Sequence, residues 1–548
     1  MRFHEWLPVG VALLLAGCAS LPADRGLSDV RGMVKARGGP DLGEPVPESG
    51  AQVSSLLAQP LTADRAVAVA LLRNPAIRRE YARLGIAQAD VLEASRLSNP
   101  TLSVSVLGSN VAGDKSRIDY GLVQNFTDAL FLSTRGRLAR ADLERAKQAA
   151  GGRILELAAE VSKAYYQAVS AGQIAQMREV IAQASEASGE LAKRFHDAGN
   201  VNELEWKREQ AAGTKARLDA DAAKAQAAVA RSALNGLLGL HASEARWTLQ
   251  GELPLPVIEE SPVADLQAMA LEQRLDLAAK RGELAQLGQV RDLARKLRWL
   301  GVIEVGVQGE RDTDGSRLIG PTFSLQLPIF NQGQSSIARI DAQQEQSQAE
   351  LDQLEAEVGN SVASAYASML AARARADRHL RDLIPQREAI VARTQELQNF
   401  MLVGQFELLV AKQEEYDAYQ SYLEALRDYW LARVDLARAV GAKLPSDVRI
   451  GSAAASALNL PDQAPAMNMG GHAGHSMEDM PGMKPGDAGM EGMDHGPMDH
   501  SGHAGPAAEP EMKGHEAHQH YGQGPTPEEG KTSPPQPVIQ DDAHQLHD

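Results

Sequence analysis

The sequence predicts a mostly helical fold interrupted by four short strands and built from two tandem copies of one unit. Three observations carry that reading. Long stretches such as Arg137 to Asp197 contain no proline, and they repeat small and apolar residues at three- and four-residue steps. Four short segments alternate apolar and polar residues with the period of two expected of a strand that has one apolar face. Finally, the chain resembles itself at an offset of about 200 residues. "AVALLRNPAI" (Ala68 to Ile77) falls against "AMALEQRLDL" (Ala268 to Leu277), and "LSVSVLG" (Leu102 to Gly108) against "IEVGVQG" (Ile303 to Gly309). "AGNVNELEW" (Ala198 to Trp206) falls against "VGQFELLVA" (Val403 to Ala411), and "ALNGLLG" (Ala233 to Gly239) against "DLARAVG" (Asp435 to Gly441). Each pair is weak alone; four in the same order make a duplication.

Each copy follows one plan. A first helix is expected from about Asp64 to Leu97 and again from Asp265 to Leu297. Strands follow at Leu102, Val104, Val106 and Ile118, Tyr120, Leu122. In the second copy they fall at Ile303, Val305, Val307 and Phe323, Leu325, Leu327. A half-buried sheet in a soluble domain would show the same alternation. Next comes a long helix, Arg137 to Asp197 and Ser335 to Asn399, the second holding only Pro385. At 1.5 Å per residue such a helix spans roughly 90 Å, too long for a compact domain to enclose, so it must pair with others along its length. Leu157, Val161, Ala164, Ala168 and Leu351, Leu354, Val358, Val362 form the expected seams. Gly199 and Gly404 are expected to reverse the chain, and return helices run from Glu203 to Leu238 and from Glu407 to Val440. First and return helices together match the long helix in length, so the simplest packing stacks them end to end beside it.

Composition narrows the setting. The N-terminus has Arg2, an apolar run from Leu7 to Ala16, and "LAGC" ending at Cys18, the single cysteine in the chain. That is a secretory signal, too short to span a bilayer, and its end resembles a bacterial lipobox with Cys18 lipidated. Ala19 and Ser20 lack the aspartate that signals inner-membrane retention in lipoproteins, which points to the outer membrane. An exported chain with no second thiol uses no disulfide. No other apolar run is long enough for a spanning helix, although strands that close a barrel can still cross. The formal charge of −17 supplies no basic footprint for nucleic acid. Outside the tail, His4, His196, His241 and His379 are isolated from one another and form no catalytic constellation, so no enzyme is expected. The organisation read from the chain is a signal over 1–17, a lipid-anchored segment over 18–60, repeats over 61–252 and 265–445, a Pro-rich acidic linker over 253–264, and a disordered tail over 446–548.

The duplicated plan behind a lipobox resembles the TolC-like outer-membrane factor (outer membrane efflux protein) family, the exit ducts of tripartite efflux pumps and type I secretion. The resemblance covers Leu61 to Pro445. It rests on "LTADRAVAVALLRNP" (Leu61 to Pro75), on the glycine turns followed by acidic and apolar residues at Gly199 and Gly404, and on "LNGLLG" (Leu234 to Gly239). It implies a mostly α fold with a membrane β-barrel. Three chains of four strands would close one 12-stranded barrel, leaving no edge, continued by a long periplasmic α-helical barrel. Thr101, Ser103, Ser105, Thr322, Ser324 and Gln326 would then face the lumen, and their apolar neighbours lipid. Tyr120, Phe126, Phe131, Trp299 and Phe330 lie where some could join an aromatic girdle. The implied partners are two further copies, a periplasmic adaptor at the Gly199 and Gly404 tips, and an inner-membrane pump. The chain departs from the family at Arg274-Leu275-Asp276, where a proline usually replaces the leucine, and at "ELLVAKQEEYD", where paired aspartates usually constrict the tunnel. Glu407, Glu414, Glu415 and Asp417 are candidates for an acidic constriction, and solvated helix faces would read the same way.

The tail adds a chemistry of its own. From Met467 onward it holds 9 of the 15 methionines and 10 of the 14 histidines. The metal-ligating candidates are Met467, Met469, His472, His475, Met477, Met480, Met483, Met490, Met493, His495, Met498, His500, His503, His515, His518 and His520. Many recur two or three residues apart. Disorder accounts for the Gly, Pro and acidic residues there, but not for methionine, normally a core residue. Thioethers suit Cu(I) and Ag(I), and imidazoles suit Cu(II) and other borderline ions such as zinc or nickel; a solubilising linker with drifted repeats would carry the same bias. The function this composes is an outer-membrane channel for copper or silver efflux. Two alternatives stand beside it: a drug or type I secretion duct with a metal-buffering tail, and a periplasmic coiled-coil adaptor or scaffold.

Overall fold

The computed structural model describes residues 24–40, 49–108, 110, 115–241 and 246–445. Two short helices, α1 (Leu27–Ala36) and α2 (Ser49–Leu57), precede the first copy, which begins with α3 (Ala63–Arg73) and α4 (Pro75–Ala94). Strands β1 (Thr101–Leu107) and β2 (Arg117–Asn125) lead into α5 (Phe126–Asp197), and α6 (Glu203–Leu238) returns. The second copy repeats the order with α7 (Val263–Gln273), α8 (Leu275–Leu297), β3 (Ile303–Arg311) and β4 (Arg317–Leu325). Its long helix is α9 (Gln334–Arg378), a π-helical turn at His379–Leu383, and α10 (Ile384–Asn399), before α11 (Gln405–Val440) returns.

The expected first helix is broken in both copies. In the first, Pro75 has no N–H to continue a helix and suits a first helical position, while Asn74 is extended and its side chain accepts from Ala76 N at 2.8 Å. The second copy breaks at Arg274 without any proline. There the Arg274 guanidinium grips Asp276 and donates to the carbonyl of Ala439 at 3.1 Å. The breaks let α4 stack on the end of α6, and α8 on the end of α11. Gly239 and Gly441 close those return helices in the left-handed region, at φ 68° and 76°. A β-carbon on Gly239 would stand 2.8 Å from the carbonyl of Arg73, and one on Gly441 would lie 3.2 Å from the Cα of Arg274. The expected end-to-end stacking is therefore present, with each junction sealed by a glycine.

Helix α5 starts at Phe126, earlier than the expected Arg137, because Asn125 caps it directly from β2 by accepting from Asp128 N. Its 72 residues span about 108 Å. It packs on α4, α6, α8 and α11, and α9 packs in turn on α8 and α11. The seam residues Leu157, Val161, Ala164 and Ala168 are buried, as are Leu351, Val358 and Val362. Pro385 ends no helix. The missing N–H is absorbed by the π-helical turn just before it, so α9 and α10 stay continuous.

Segments outside the two repeats lace the copies together. Helix α1 buries Val30 and Val34 against α5, and Arg37 donates to the carbonyl of Gln273 at 2.5 Å. The linker lies on α11: Trp430 donates to the carbonyl of Pro254, Tyr429 donates to Glu260, and Arg433 pairs with Glu260 at 3.0 Å with both side chains buried.

Candidate functional site

The four strands form one antiparallel sheet in the order β1-β2-β3-β4, so the copies join where β2 pairs with β3. Register fixes which residues share a face. Val104 lies opposite Tyr120, Tyr120 opposite Gly309, and Gly309 opposite Ile319. Leu102, Leu122, Val307 and Pro321 form the neighbouring row. The other face carries Ser103, Gly121, Gln308 and Gly320 in one row and Ser105, Asp119 and Glu310 in the next. The apolar face is bare: Leu102, Val104, Phe323 and Ile319 are 63–73% exposed. Nothing else in the described chain covers it, although a soluble half-buried sheet would need a cover there. Of the expected lumen residues, Thr101, Ser103, Ser105, Thr322 and Ser324 share the polar face, and Gln326 lies one residue beyond β4. Phe126 and Phe131 belong to the first turns of α5 and not to a strand.

Far from the sheet in sequence, two hairpin tips turn the long helices back. Between α5 and α6, Asn200 N donates to the carbonyl of Phe195 at 2.8 Å with Gly199 left-handed at φ 79°. Between α10 and α11, Leu402 N donates to the carbonyl of Leu397 at 3.0 Å, and the left-handed residue is Met401 at φ 59°. Gly404 has extended backbone at φ −80° and is the N-cap of α11, as Asn202 is of α6. The structural counterpart of Gly199 is thus Met401, and that of Gly404 is Asn202. The sequence comparison had slipped the second tip by three residues, because matching glycine to glycine also matched the acidic and apolar residues after it. Gly404 therefore does not make the reversal expected of it.

The tips differ in chemistry. At the first, His196 stacks on Trp206 at 4.9 Å and its Nδ1 lies 3.1 Å from the carbonyl of Val201. At the second, Phe400, Met401 and Leu402 are 76%, 93% and 70% exposed. A cavity of about 640 Å³ lies between them, lined by Phe195, Val201, Glu205, Met401, Phe406 and Glu407 among others.

The four acidic candidates behind the second tip are all engaged within the chain. Glu407 accepts from the N–H of Gly404 at 3.0 Å, completing the cap of α11. Glu414 pairs with Arg387 across α10 and α11. Glu415 is buried and pairs with Lys412. Asp417 pairs with Arg178 of α5 at 2.9 Å, and the same guanidinium donates to Gln420 at 2.6 Å. Tyr419 donates to Glu388, and its phenol is pushed up, by burial first and then by that carboxylate. Sequence reasoning found the carboxylates but not the arginines that pair with Glu414 and Asp417 from other helices. Cys18 and all the tail candidates, from Met467 to His520, lie outside the described residues.

A bare apolar sheet face, a polar reverse face and long paired helices ending in two tips are what a chain needs if its sheet is to join others in a barrel. The family model for outer membrane efflux protein matches residues 66–240. The chain is 28% identical over 337 residues to Protein CyaE of Bordetella pertussis, covering 58% of this chain and 70% of that protein. Among solved structures, it is similar in fold to a membrane protein from Pseudomonas aeruginosa (TM-score 0.58, 21% identity, 69% of this chain and 92% of that one). It is also similar to VceC from Vibrio cholerae (TM-score 0.56, 16% identity, 72% and 96%) and to CusC (TM-score 0.56, 18% identity, 72% and 92%). These likenesses support a TolC-like outer-membrane factor, an outer-membrane efflux channel by the description of the matching family model. The expected fold class holds in its mostly helical body and its four-stranded sheet.

Proposed function

We propose that three copies of this chain close a barrel in the outer membrane and export copper or silver ions, with a periplasmic adaptor and an inner-membrane pump supplying recognition and energy. The observation that carries the channel is the sheet: a bare apolar face, a polar face and two unpaired edges. Four strands cannot close alone, and three copies remove every edge in lipid. Lipid attachment at Cys18 anchors the chain in the same membrane. The tips receive the adaptor, and Glu407, Glu414, Glu415 and Asp417 form the acidic constriction behind them, with Arg387 holding Glu414 and Arg178 holding Asp417. The metal cargo is supported by the Met and His spacing of the tail, where thioethers suit Cu(I) and Ag(I).

Purified protein in a planar bilayer should conduct. Cells lacking the chain should lose copper or silver tolerance and regain it with the wild-type chain. Conductance without any change in metal tolerance would leave the channel and remove the metal cargo. A folded helical protein with no conductance would favour the scaffold.

A further inference from the structure

Pro321 lies inside β4, a place that proline avoids unless its ring faces an unpaired edge. The hydrogen bonds at the two ends of the β3–β4 ladder say which way it faces. Gln326 N donates to the carbonyl of Val302, and Asp312 N to the carbonyl of Ser316. Even-numbered residues of β3 therefore bond to β4, and Pro321, opposite the odd-numbered Val307, directs its nitrogen to the free edge. Carrying the alternation across the sheet makes Leu102, Val104 and Val106 the residues of β1 whose N–H and C=O face the other free edge. On β4 the outward residues are Ile319, Pro321, Phe323 and Leu325. Both sets belong to the apolar face.

We infer that β4 pairs with β1 of the next copy in one particular register, with Leu325, Phe323 and Pro321 opposite Leu102, Val104 and Val106. The inference rests on the proposed trimeric barrel. Outward-bonding residues must meet each other, so only registers that differ by two residues are allowed. A barrel also needs stagger. With strands about 4.8 Å apart rising about 3.3 Å per residue, a tilt of roughly 35–45° gives about four to six residues of stagger per four strands.

The hand of the stagger follows from chirality. Viewed from the apolar face with β1 running upward, an L-residue pointing at the viewer directs its N–H and C=O to the right, so β2, β3 and β4 follow to the left. Right-handed twist makes the strands of a closed barrel rise to the right, so the bonding direction climbs leftward. The row from Val104 through Tyr120 and Gly309 to Ile319 then meets the next β1 at a later residue, Gly108 for a stagger of about four. A stagger of about six would put Leu102 opposite Leu327, beyond the end of β4. The smaller stagger keeps the outward residues of β1 inside β4. It leaves Pro321 opposite Val106, near the end of the joint, where its missing donor costs one bond. It also sets Ser103 against Ser324 and Ser105 against Thr322 on the polar face.

Paired cysteines read the register directly. Residues in a non-hydrogen-bonded pair have Cα atoms about 4.5 Å apart, within disulfide reach, and a slip of two residues takes them to about 8 Å, out of reach. In full-length protein in the outer membrane, Ser103→Cys with Ser324→Cys should oxidise to a covalent trimer on a non-reducing gel. Ser103→Cys with Thr322→Cys, or with Gln326→Cys, should stay monomeric on that gel, as should each single variant, which carries only Cys18 besides. Native mass of the reduced variants separates the two claims. A trimer that links through the Thr322 or Gln326 variant, or through none, overturns the register. A reduced protein that is not trimeric overturns the barrel.

Discussion

The side-chain amide of Asn74 donates to the carbonyl of Leu237 at 2.8 Å, across 163 positions of sequence. Its oxygen meanwhile accepts from Ala76 N. One residue thus caps the start of α4 and the end of α6, the two helices that stack end to end. Arg274 does the corresponding work in the second copy with a guanidinium, reaching Ala439 on one side and Asp276 on the other. Each stacked column of the helical body passes through such a joint.

Asn74→Ala removes both bonds and should loosen that joint by about 1–2 kcal/mol. Hydrogen exchange in the first turn of α4 and the last turn of α6 should then quicken by about tenfold, since 1.4 kcal/mol is a factor of ten. Exchange near the second joint should not change. Equal quickening at both joints would mean that Asn74 acts through global stability.

The buried pair between linker and α11 gives a second expectation. Glu260→Ala leaves Arg433 buried without its carboxylate and removes the acceptor of Tyr429, a change that typically costs about 3–5 kcal/mol. The thermal midpoint of the solubilised protein should fall well below that of wild type. Glu260→Leu combined with Arg433→Met should recover most of the loss, because a well-packed apolar pair avoids the desolvation of both charges.

Much of this body was legible in the sequence. Helix α6 matches its expected bounds because Asn202 caps one end and Gly239 the other, both chemically explicit signals. The sheet faces followed from alternation alone. The break at Arg274 was not legible, since an arginine-aspartate clamp has no local signature and no proline marks it. Helix α1 was missed because Val30 and Val34 offer too short an apolar pattern, and its burial comes from α5. At the second tip, the glycine signal pointed to Gly404, whereas the strained position is occupied by a methionine that tertiary context holds there.

That difference between the tips can be measured. Gly199→Val forces a β-branched residue into left-handed backbone and should cost about 1–2 kcal/mol. Met401→Gly relieves the same strain and should stabilise by up to about 1 kcal/mol. Gly404→Ala should be nearly neutral for the fold, because its extended backbone suits any residue. Protease sensitivity of the two tips in the assembled protein would rank the three variants. A Gly404→Ala tip as labile as Gly199→Val would contradict the assignment.

Burial pushes the Tyr165 and Tyr422 phenols up to about 12, from 10.0 for a free tyrosine. Below pH 10 both the folded and unfolded chains hold these protons, and the contribution to stability is complete. Between about 10 and 12 the unfolded chain releases them while the folded chain does not, so stability falls as pH rises. Thermal midpoints by circular dichroism should therefore drop across that window. Tyr165→Phe together with Tyr422→Phe should flatten the drop; an unchanged slope would assign it to other groups.

The tail supplies the most direct test of cargo. Within Met467 to His520, Met477-x-x-Met480-x-x-Met483 and Met490-x-x-Met493 place thioethers close enough to gather on one ion, with His472-x-x-His475 and His515-x-x-His518 nearby. Thioether is soft and neutral, so it favours Cu(I) and Ag(I) over Zn(II), and it survives an oxidising compartment that would pair cysteines. Gathering three or four ligands fixes the residues between them, at about 1–2 kcal/mol per residue fixed, and short spacings keep that number small. Full-length protein should therefore take up several Cu(I) ions in competition with a chromogenic Cu(I) chelator. A chain ending before Met467 should take up few or none while keeping its oligomeric state and conductance. Substituting the five methionines from Met477 to Met493 with leucine should remove most Cu(I) uptake and leave the weaker Zn(II) uptake of the histidines. Equal Cu(I) uptake by the full and shortened chains would separate the tail from metal altogether.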